Sequence, residues 1–403
     1  MNIAHIVCRY PPYYSGMGNV VFQTAAELSK LGHHVEVFTP QYHETGEIKP
    51  VEAPEAEEHT PELQSQIDYA RRLEPSFSYG NAARLPDLGK ELDAFDLVHL
   101  HYPFYGTAGL VRKWKLRNPN KPLVITYHMD TRVESWTDLF FKYYARYWMP
   151  KILGSADAII ASSFDYITQS SAHHVFSHDP GKWLELPFGV DIERFRPGEK
   201  TSEFFTNLDL DYTQPTVLFV GGMDPAHFFK GVPVLLKALF LAKKNQHPLQ
   251  AIMVGDGVLR SRFETQAQAL GLKNLVRFVG RVEDSDLPQY YQNADVLVLP
   301  STTIGEAFGM VLLEAYASGI PVIASDLTGV RSVAEAAGMV FPVGDEVALA
   351  QTLVGYFAAD VDRDVWRKQA RTVAEEIFAW PLVVSQLDEL YRTLAGVPSD
   401  EMV

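Results

Sequence analysis

Two glutamates, Glu306 and Glu314, stand eight residues apart in GEAFGMVLLEAYASGIPVIAS (305–325), with Phe308-Gly309 between them. Apolar VLVLP (296–300) precedes the segment and PVIAS (321–325) closes it. That order predicts strand, tight loop, short helix, strand. In open α/β sheets, ligands bind where strands end and helices begin. Backbone N–H groups at such a helix start, here Phe308, Gly309 and Met310, attract phosphate and oxyanions. One acid in the loop and one in the second helical turn could hold two parts of a long ligand. At about 1.5 Å rise per residue they lie at most roughly 12 Å apart. A nucleotide sugar suits that span, with one acid on hexose hydroxyls and the other on the ribose. The competing reading is an ordinary strand–helix–strand unit with two incidental acids.

Three further constellations bear on the same chemistry. GGMDPAHFFKG (221–231) follows a predicted strand and precedes the apolar helix VPVLLKALFLAKK. Lys230 at that turn suits a diphosphate, because an ammonium is a compact charge and adjacent N–H groups add to it. Its plain alternative is the cap of a surface turn. In YPPYYSGMGNVVFQTAAEL, Gly16 and Gly18 let the backbone pass close to a ligand with no Cβ in the way. Many Rossmann-like proteins have such a loop. His128 ends the strand PLVITYH, where it could bond a sugar hydroxyl or stabilise developing charge; a lone histidine is more often structural. Asp130 follows, toward an acceptor or toward solvent. Gly255-Asp256-Gly257, Arg260, Arg281 and Val282 lie after later strands, as candidate nucleotide contacts or as plain turns.

The elements that must position these residues can be read along the chain. A strand (Ile3–Cys8), a Gly/Pro-rich loop (Tyr10–Gly18), a helix from about Asn19 to Leu31 capped by Gly32, and the strand HVEVFTP form a βαβ opening. Residues 43–87 are polar, acidic and proline-bearing, an insertion with a predicted helix around Pro61–Arg72. DLVHLH (96–101), PLVITYH (122–128) and ADAIIASS (156–163) are nearly continuous apolar runs, as parallel strands buried on both faces must be. PFGVDIERFRPGEK (187–200) reads as a linker. A second βα series follows in TVLFVGG (216–222), AIMVGDG (251–257), VRFVGRV (276–282), VLVLP and PVIAS. Two Rossmann-like domains follow from this rhythm.

Together these motifs resemble the family-four retaining glycosyltransferases, glycosyltransferase group 1. The resemblance covers nearly the whole chain and is sharpest from Thr216 to Pro342. It implies an α/β GT-B fold: two Rossmann-like domains facing a cleft, with a C-terminal helix crossing back to the first. The expected domains are 1–192, joined by the returning helix 381–403, and 193–380, with a bend at Trp380-Pro381. The resemblance further implies transfer of a hexosyl unit from a UDP- or GDP-linked sugar to a hydroxyl acceptor, a glycan or lipid-linked saccharide of cell-envelope polysaccharide synthesis. Anomeric configuration would be retained. Glu306, His128 and Lys230 become the catalytic candidates. Gly16, Gly18, Gly222, Lys230, Gly255, Arg281, Val282, Phe308, Gly309, Met310 and Glu314 become the nucleotide-sugar contacts. No metal and no cofactor are implied. One departure stands out: Gly222 occupies the place where the family carries an arginine, leaving His227, Arg9, Arg281 or Lys230 alone to manage the charge. Two rivals stay open on the same fold, a non-catalytic nucleotide-sugar-binding partner of another transferase and a nucleotide-sugar 2-epimerase. A soluble synthase of a small saccharide is a third.

Composition narrows the rest. The chain has 403 residues, 47% of them hydrophobic, and a formal charge of −15; that charge argues against general nucleic-acid binding. Cys8 is the only cysteine, which excludes an internal disulfide and points to a reducing cytoplasm. The opening MNIAHIVCRYPP reads as a buried strand and not as a secretory leader. No run of eighteen apolar residues occurs, so no membrane span is expected. Charge is uneven: Gly109–Lys151 holds nine Lys/Arg against three acids, while Gln41–Pro75 holds nine acids against three bases. The segments 112–121 and 132–153 combine aromatics with basic residues. They suit either the surface of an anionic membrane or an ordinary helix with snorkelling bases.

Overall fold

The computed structural model describes residues 1–11, 16–41, 69–79, 82–131 and 138–397. It divides into two compact units, Met1–Pro187 with Val383–Val403, and Phe188–Leu382.

The first unit is built on a seven-stranded sheet. Its strands are β1 (Asn2–Ile6), β2 (His34–Pro40), β3 (Ala70–Leu73), β6 (Leu97–Tyr102), β7 (Leu123–Tyr127), β8 (Ala158–Ala161) and β9 (Trp183–Glu185); β4 (Phe77–Tyr79) and β5 (Ala82–Arg84) form a separate antiparallel pair. The sheet order is β3-β2-β1-β6-β7-β8-β9, and every pairing is parallel. β6, β7 and β8 are buried at every position, which is why their sequence shows no polar alternation. The order reverses between β1 and β6, a topological switch point. Helix α1 (Gly16–Lys30) connects β1 to β2, and α2 (Ala108–Arg117), α3 (Asp138–Tyr147) and α4 (Met149–Leu153) follow β6 and β7.

Two expectations need correction. Gly16 and Gly18 lie in the first turn of α1 and not in the loop before it. A Cβ on Gly18 would stand 2.8 Å from the Arg9 carbonyl oxygen, so this glycine lets the helix start press against the chain leaving β1. The helix expected around Pro61–Arg72 falls largely outside the described residues. Its end, Arg71-Arg72, is instead in β3, an edge strand bonded to β2 through its backbone. Asp130 is half-buried, and its carboxylate accepts from the Tyr127 hydroxyl and from the Ser171 backbone N–H (3.0 Å).

The second unit repeats the plan with six parallel strands: β10 (Thr216–Val220), β11 (Gln250–Val254), β12 (Val276–Gly280), β13 (Val296–Leu299), β14 (Val322–Ser325) and β15 (Met339–Phe341), in the order β12-β11-β10-β13-β14-β15. Helix α5 (Val232–Lys244) buries Val232, Leu235, Leu236, Leu239 and Ala242 against this sheet. Helix α6 (Met310–Ala317) links β13 to β14. The switch point lies between β10 and β13.

The second crossing between units follows helix α7 (Arg363–Val373) and a π-helical turn, Ala374–Phe378. The break is at Ala379, whose backbone is extended. Trp380-Pro381 then opens helix α8 (Trp380–Ala395), because proline is tolerated in a first turn. Ala379 bridges Val190, and the Val190 N–H donates to Phe378 (2.7 Å). These bonds hold residues 188–192 in the second unit. The part of α8 from Val383 onward belongs to the first unit, where Asp388 meets His33 Nε2 at 2.7 Å. Among the described residues, no helix is long and apolar enough to cross a membrane.

Candidate active site

The loops after β10 and β13 flank the switch point of the second sheet, and each delivers one charged group to it. Lys230 ends a 3₁₀ turn, Pro225–Lys230, after β10. Glu306 sits in the loop after β13. The Lys230 ammonium donates to Glu306 Oε2 at 2.7 Å, with the side chains only 15% and 12% exposed. Ser301 Oγ lies 3.4 Å from the same oxygen. The two loops are stitched together by the Thr302 N–H, which donates to the Phe229 carbonyl (2.7 Å). Gly231 makes the approach possible. It has φ +74°, and a Cβ there would stand 1.9 Å from the Pro300 carbonyl oxygen.

Glu314, one helical turn into α6 and half-buried, accepts a 2.5 Å hydrogen bond from Tyr291. Burial raises its carboxyl above the usual range; the Tyr291 bond, the Arg194 charge and the Lys230 charge each pull it back. Lys230 therefore acts on both acids. The helix between them starts at Gly309 (φ +83°), whose lack of a side chain leaves the first amides of α6 without a side-chain cap. That end is an anion-binding terminus by its own dipole. Phe308 is buried, its ring edge-on to Phe188 at 5.1 Å, and Met310 is half-buried.

The remaining second-unit candidates stand at neighbouring strand ends. The Gly255 N–H donates to Gly280 (2.8 Å), and the Gly221 N–H to Val254 (3.0 Å). The exits of β10, β11 and β12 thus form one bonded rim. Arg281 is exposed and Val282 half-buried beyond that rim. Arg260 bonds Glu264 and the Phe278 carbonyl, both at 2.9 Å, so its guanidinium braces the rim. Gly222, at the place of the missing arginine, lies under His227: a Cβ there would be 2.8 Å from the imidazole Nδ1. His227 in turn stands 3.8 Å from Asp224.

In the first unit, no atom among the described residues lies within 4 Å of where a Cβ on Gly16 would go. His128 follows β7 and is buried, with Nε2 2.9 Å from His101 Nδ1. His101 Nε2 meets His5 Nδ1 at 2.9 Å, while His99 bonds Thr126 (2.7 Å) and the Tyr391 hydroxyl. Burial keeps all four imidazoles below their ordinary range, His5 and His128 down to about 3. His5, His99 and His101 bring ring nitrogens within 4.8 Å of one another. Both nitrogens of His99 and of His101 are already bonded, however, so the cluster is a hydrogen-bonded assembly before it is a cation site.

Sequence reasoning missed Tyr291, Arg194 and the histidine cluster. The cluster had a signal. His99 and His101 alternate on one strand, so they share a face, and His5 is in register with His99 on the adjacent strand.

Two units, each built on a parallel sheet of this topology, are the architecture of the GT-B class. Residues 200–373 match the family described as "Glycosyl transferases group 1", and residues 14–194 match "Glycosyltransferase Family 4". The chain is 33% identical over 303 residues to a phosphatidyl-myo-inositol mannosyltransferase of Mycobacterium leprae, covering 75% of this chain and 74% of that one. It is 25% identical over 402 residues to O-antigen chain mannosyltransferase C of Escherichia coli, covering 98% and 99%. Sucrose-phosphate synthase from Thermosynechococcus elongatus superposes with a TM-score of 0.73 at 26% identity, over 98% of this chain and 99% of that one. The chain belongs to the family-four glycosyltransferases and has the GT-B fold.

Proposed function

We propose that this glycosyltransferase moves a hexosyl unit from a UDP- or GDP-linked sugar to a hydroxyl of a glycan or lipid-linked saccharide, with retention of anomeric configuration. The observation that carries the reading is the Lys230–Glu306 pair at the switch point of the second sheet, beside the uncapped start of α6. The mannosyltransferase names of relatives in two bacterial groups favour mannose as the hexose.

In this reading Lys230 and the α6 amides stabilise the leaving diphosphate. Preorganised charge of this kind acts where negative charge develops and needs no rearrangement during reaction. Glu306 holds sugar hydroxyls and exchanges part of its bond to Lys230 for them when donor binds. Glu314, oriented by Tyr291, takes the ribose. His128 of the first unit serves the sugar. Lys230 and Glu306 are bonded to each other, so neither geometry nor charge suits Glu306 as a nucleophile of the kind retaining glycosidases use. The departing phosphate is the acceptor of the proton from the attacking hydroxyl. The positive groups of the chain supply the electrostatics, and the mechanism draws on no resident metal or cofactor.

The acceptor side is assigned to the first unit. Helix α3 exposes Leu139, Phe140, Tyr143 and Tyr147 together with Lys142, a combination suited to an anionic lipid surface. This supports a peripheral place at a membrane where a lipid-linked acceptor is presented.

The test is transfer of labelled hexose from UDP- and GDP-sugars by the purified protein, with the anomeric centre of the product read by NMR. Glu306→Ala, Lys230→Ala and Glu314→Ala should each lower turnover about a hundredfold. Gly222 favours the rival reading of a non-catalytic binder. Tight nucleotide-sugar binding with neither transfer nor slow donor hydrolysis would establish that rival.

A further inference from the structure

We propose that Arg367 and Arg371 of α7 are positioning residues for the Tyr291–Glu314 pair, holding the helix of the acid and the segment of the tyrosine in one fixed arrangement. The inference rests, for its effect on the ligand, on the reading of Glu314 as the acid that takes the ribose. Tyr291 is fully buried in the short helix Leu287–Gln292 and donates to Glu314 at 2.5 Å. β13 and its loop separate that helix from α6 along the chain, so the bond depends on how the two helices are held together. α7 supplies a common support. Arg367 Nη2 donates to the Ala294 carbonyl (3.2 Å) and to Asp295 Oδ1 (3.1 Å), just beyond Tyr291. Arg371 Nη1 donates at 2.6 Å to the carbonyl of Ala317, the last residue of α6. The two arginines stand four positions apart in α7, where helical side chains are neighbours on one face.

Arg371 reaches a third element. Its Nη1 also meets the carbonyls of Ile192 (3.0 Å) and Phe195 (3.1 Å), and its Nε bonds Glu375 at 2.6 Å. Phe195 is buried, with its ring edge-on to Tyr291 and centroids 5.5 Å apart. Arg194, in the same turn, lays its guanidinium over the Phe195 ring at 4.9 Å, and its charge acts on Glu314. One guanidinium therefore braces the helix of the acid, the packing behind the tyrosine and the turn that carries the nearby cation.

The residue type suits this task. A guanidinium presents several N–H groups in one plane and can hold several acceptors, whereas an ammonium is a point charge. The last carbonyls of a helix lack intrahelical partners and carry partial negative charge, so a cation beside Ala317 is favourable. The effect of both arginines on the ribose passes through Tyr291 and Glu314.

The test uses the full-length protein with Arg367→Met and Arg371→Met. Tyrosine labelled with ¹³C at Cζ reports the Tyr291 hydroxyl by NMR, with Tyr291→Phe as the assignment control. The Tyr291 resonance should shift in each variant; an unmoved resonance in either folded variant overturns the proposal. The second readout is calorimetric binding of UDP and GDP against their deoxyribose analogues. The wild-type protein should prefer the ribonucleotide at least about tenfold, the worth of one hydrogen bond to a carboxylate. Each variant should lose most of that preference and keep a near wild-type affinity for the analogue. A residue that only stabilised the fold would weaken both nucleotides alike; that unchanged ratio overturns the proposal. Arg371→Lys keeps the charge without the fork and should give an intermediate shift and ratio. Near-ultraviolet circular dichroism identifies the folded variants. Should one methionine variant fail to fold, the other decides, and Arg371→Lys decides if both fail, with wild-type values overturning the proposal. A ribose preference that is absent in the wild type, or that survives Glu314→Gln, would refute the reading of Glu314 alone, since the tyrosine signal is read without nucleotide.

Discussion

At the scale of single residues, the Lys230–Glu306 pair is an expense in the unliganded protein. Two charges largely withdrawn from water recover their desolvation only through each other, and removing one partner is far more costly than replacing both. Glu306→Ala should therefore lower stability as well as turnover, by about 3 kcal/mol at most. The double variant Lys230→Met/Glu306→Leu should return near to the wild-type Tm and stay inactive. A double variant no more stable than the singles in thermal melts would mean the pair is not coupled in solution. Gly231 bears on the same contact. Gly231→Ala forces a positive φ on a residue with a Cβ, at about 1–2 kcal/mol, and drives that Cβ into the Pro300 carbonyl. The loops after β10 and β13 should separate, with loss of both Tm and donor affinity in calorimetry. Gly222→Arg is a different case: the new side chain must displace His227 from above the glycine, and donor KM will show whether that imidazole was standing in for the missing guanidinium.

At the scale of elements, helix α3 makes the clearest prediction. Leu139, Phe140 and Tyr143 are 77%, 57% and 56% exposed, more apolar surface than one polar helix face leaves open by chance. Flotation with vesicles rich in anionic lipid should carry the wild-type protein upward. Leu139→Ser/Phe140→Ser should abolish this, and Lys142→Glu should weaken it most at low salt. Binding that is equal on neutral and anionic vesicles would discard the electrostatic part. The elements also show what the sequence made legible. β2, His34–Pro40, was readable to the residue; the central strands β6, β7 and β8 were readable as elements with their ends off by one or two residues, because burial on both faces leaves a run of apolar residues with no ambiguity of face. β3 and β9 were not. ARRL and WLE are short edge strands held by backbone bonds, and their side chains carry no period. Glu306, Glu314 and Lys230 were legible as a set because each sits at a fixed offset from an apolar strand. Tyr291 was not, since its bond to Glu314 spans 23 residues and no local pattern announces it.

At the scale of the molecule, the buried histidines make the first unit sensitive to acid. His5 and His128 titrate at about 3 when folded against an ordinary 6.5. Between those values the unfolded chain binds more protons, so stability rises with pH across this window and is lost as pH falls below about 6.5. Each such ring costs about 1.4 kcal/mol per pH unit. Denaturant melts at pH 7 and pH 5 should show the loss, and His5→Phe should reduce its slope; a slope unchanged in that variant would show that the imidazole is not held neutral by burial. The chain's path has its own consequence. The second unit is one continuous stretch, whereas the first needs residues from Val383 onward, including Asp388 for His33 and Tyr391 for His99. During synthesis the unit that begins first is thus the last to be finished: while the ribosome is still extending the middle of the polypeptide, the early sheet waits with the seat of its closing helix bare. Only release of the residues from Val383 onward completes it.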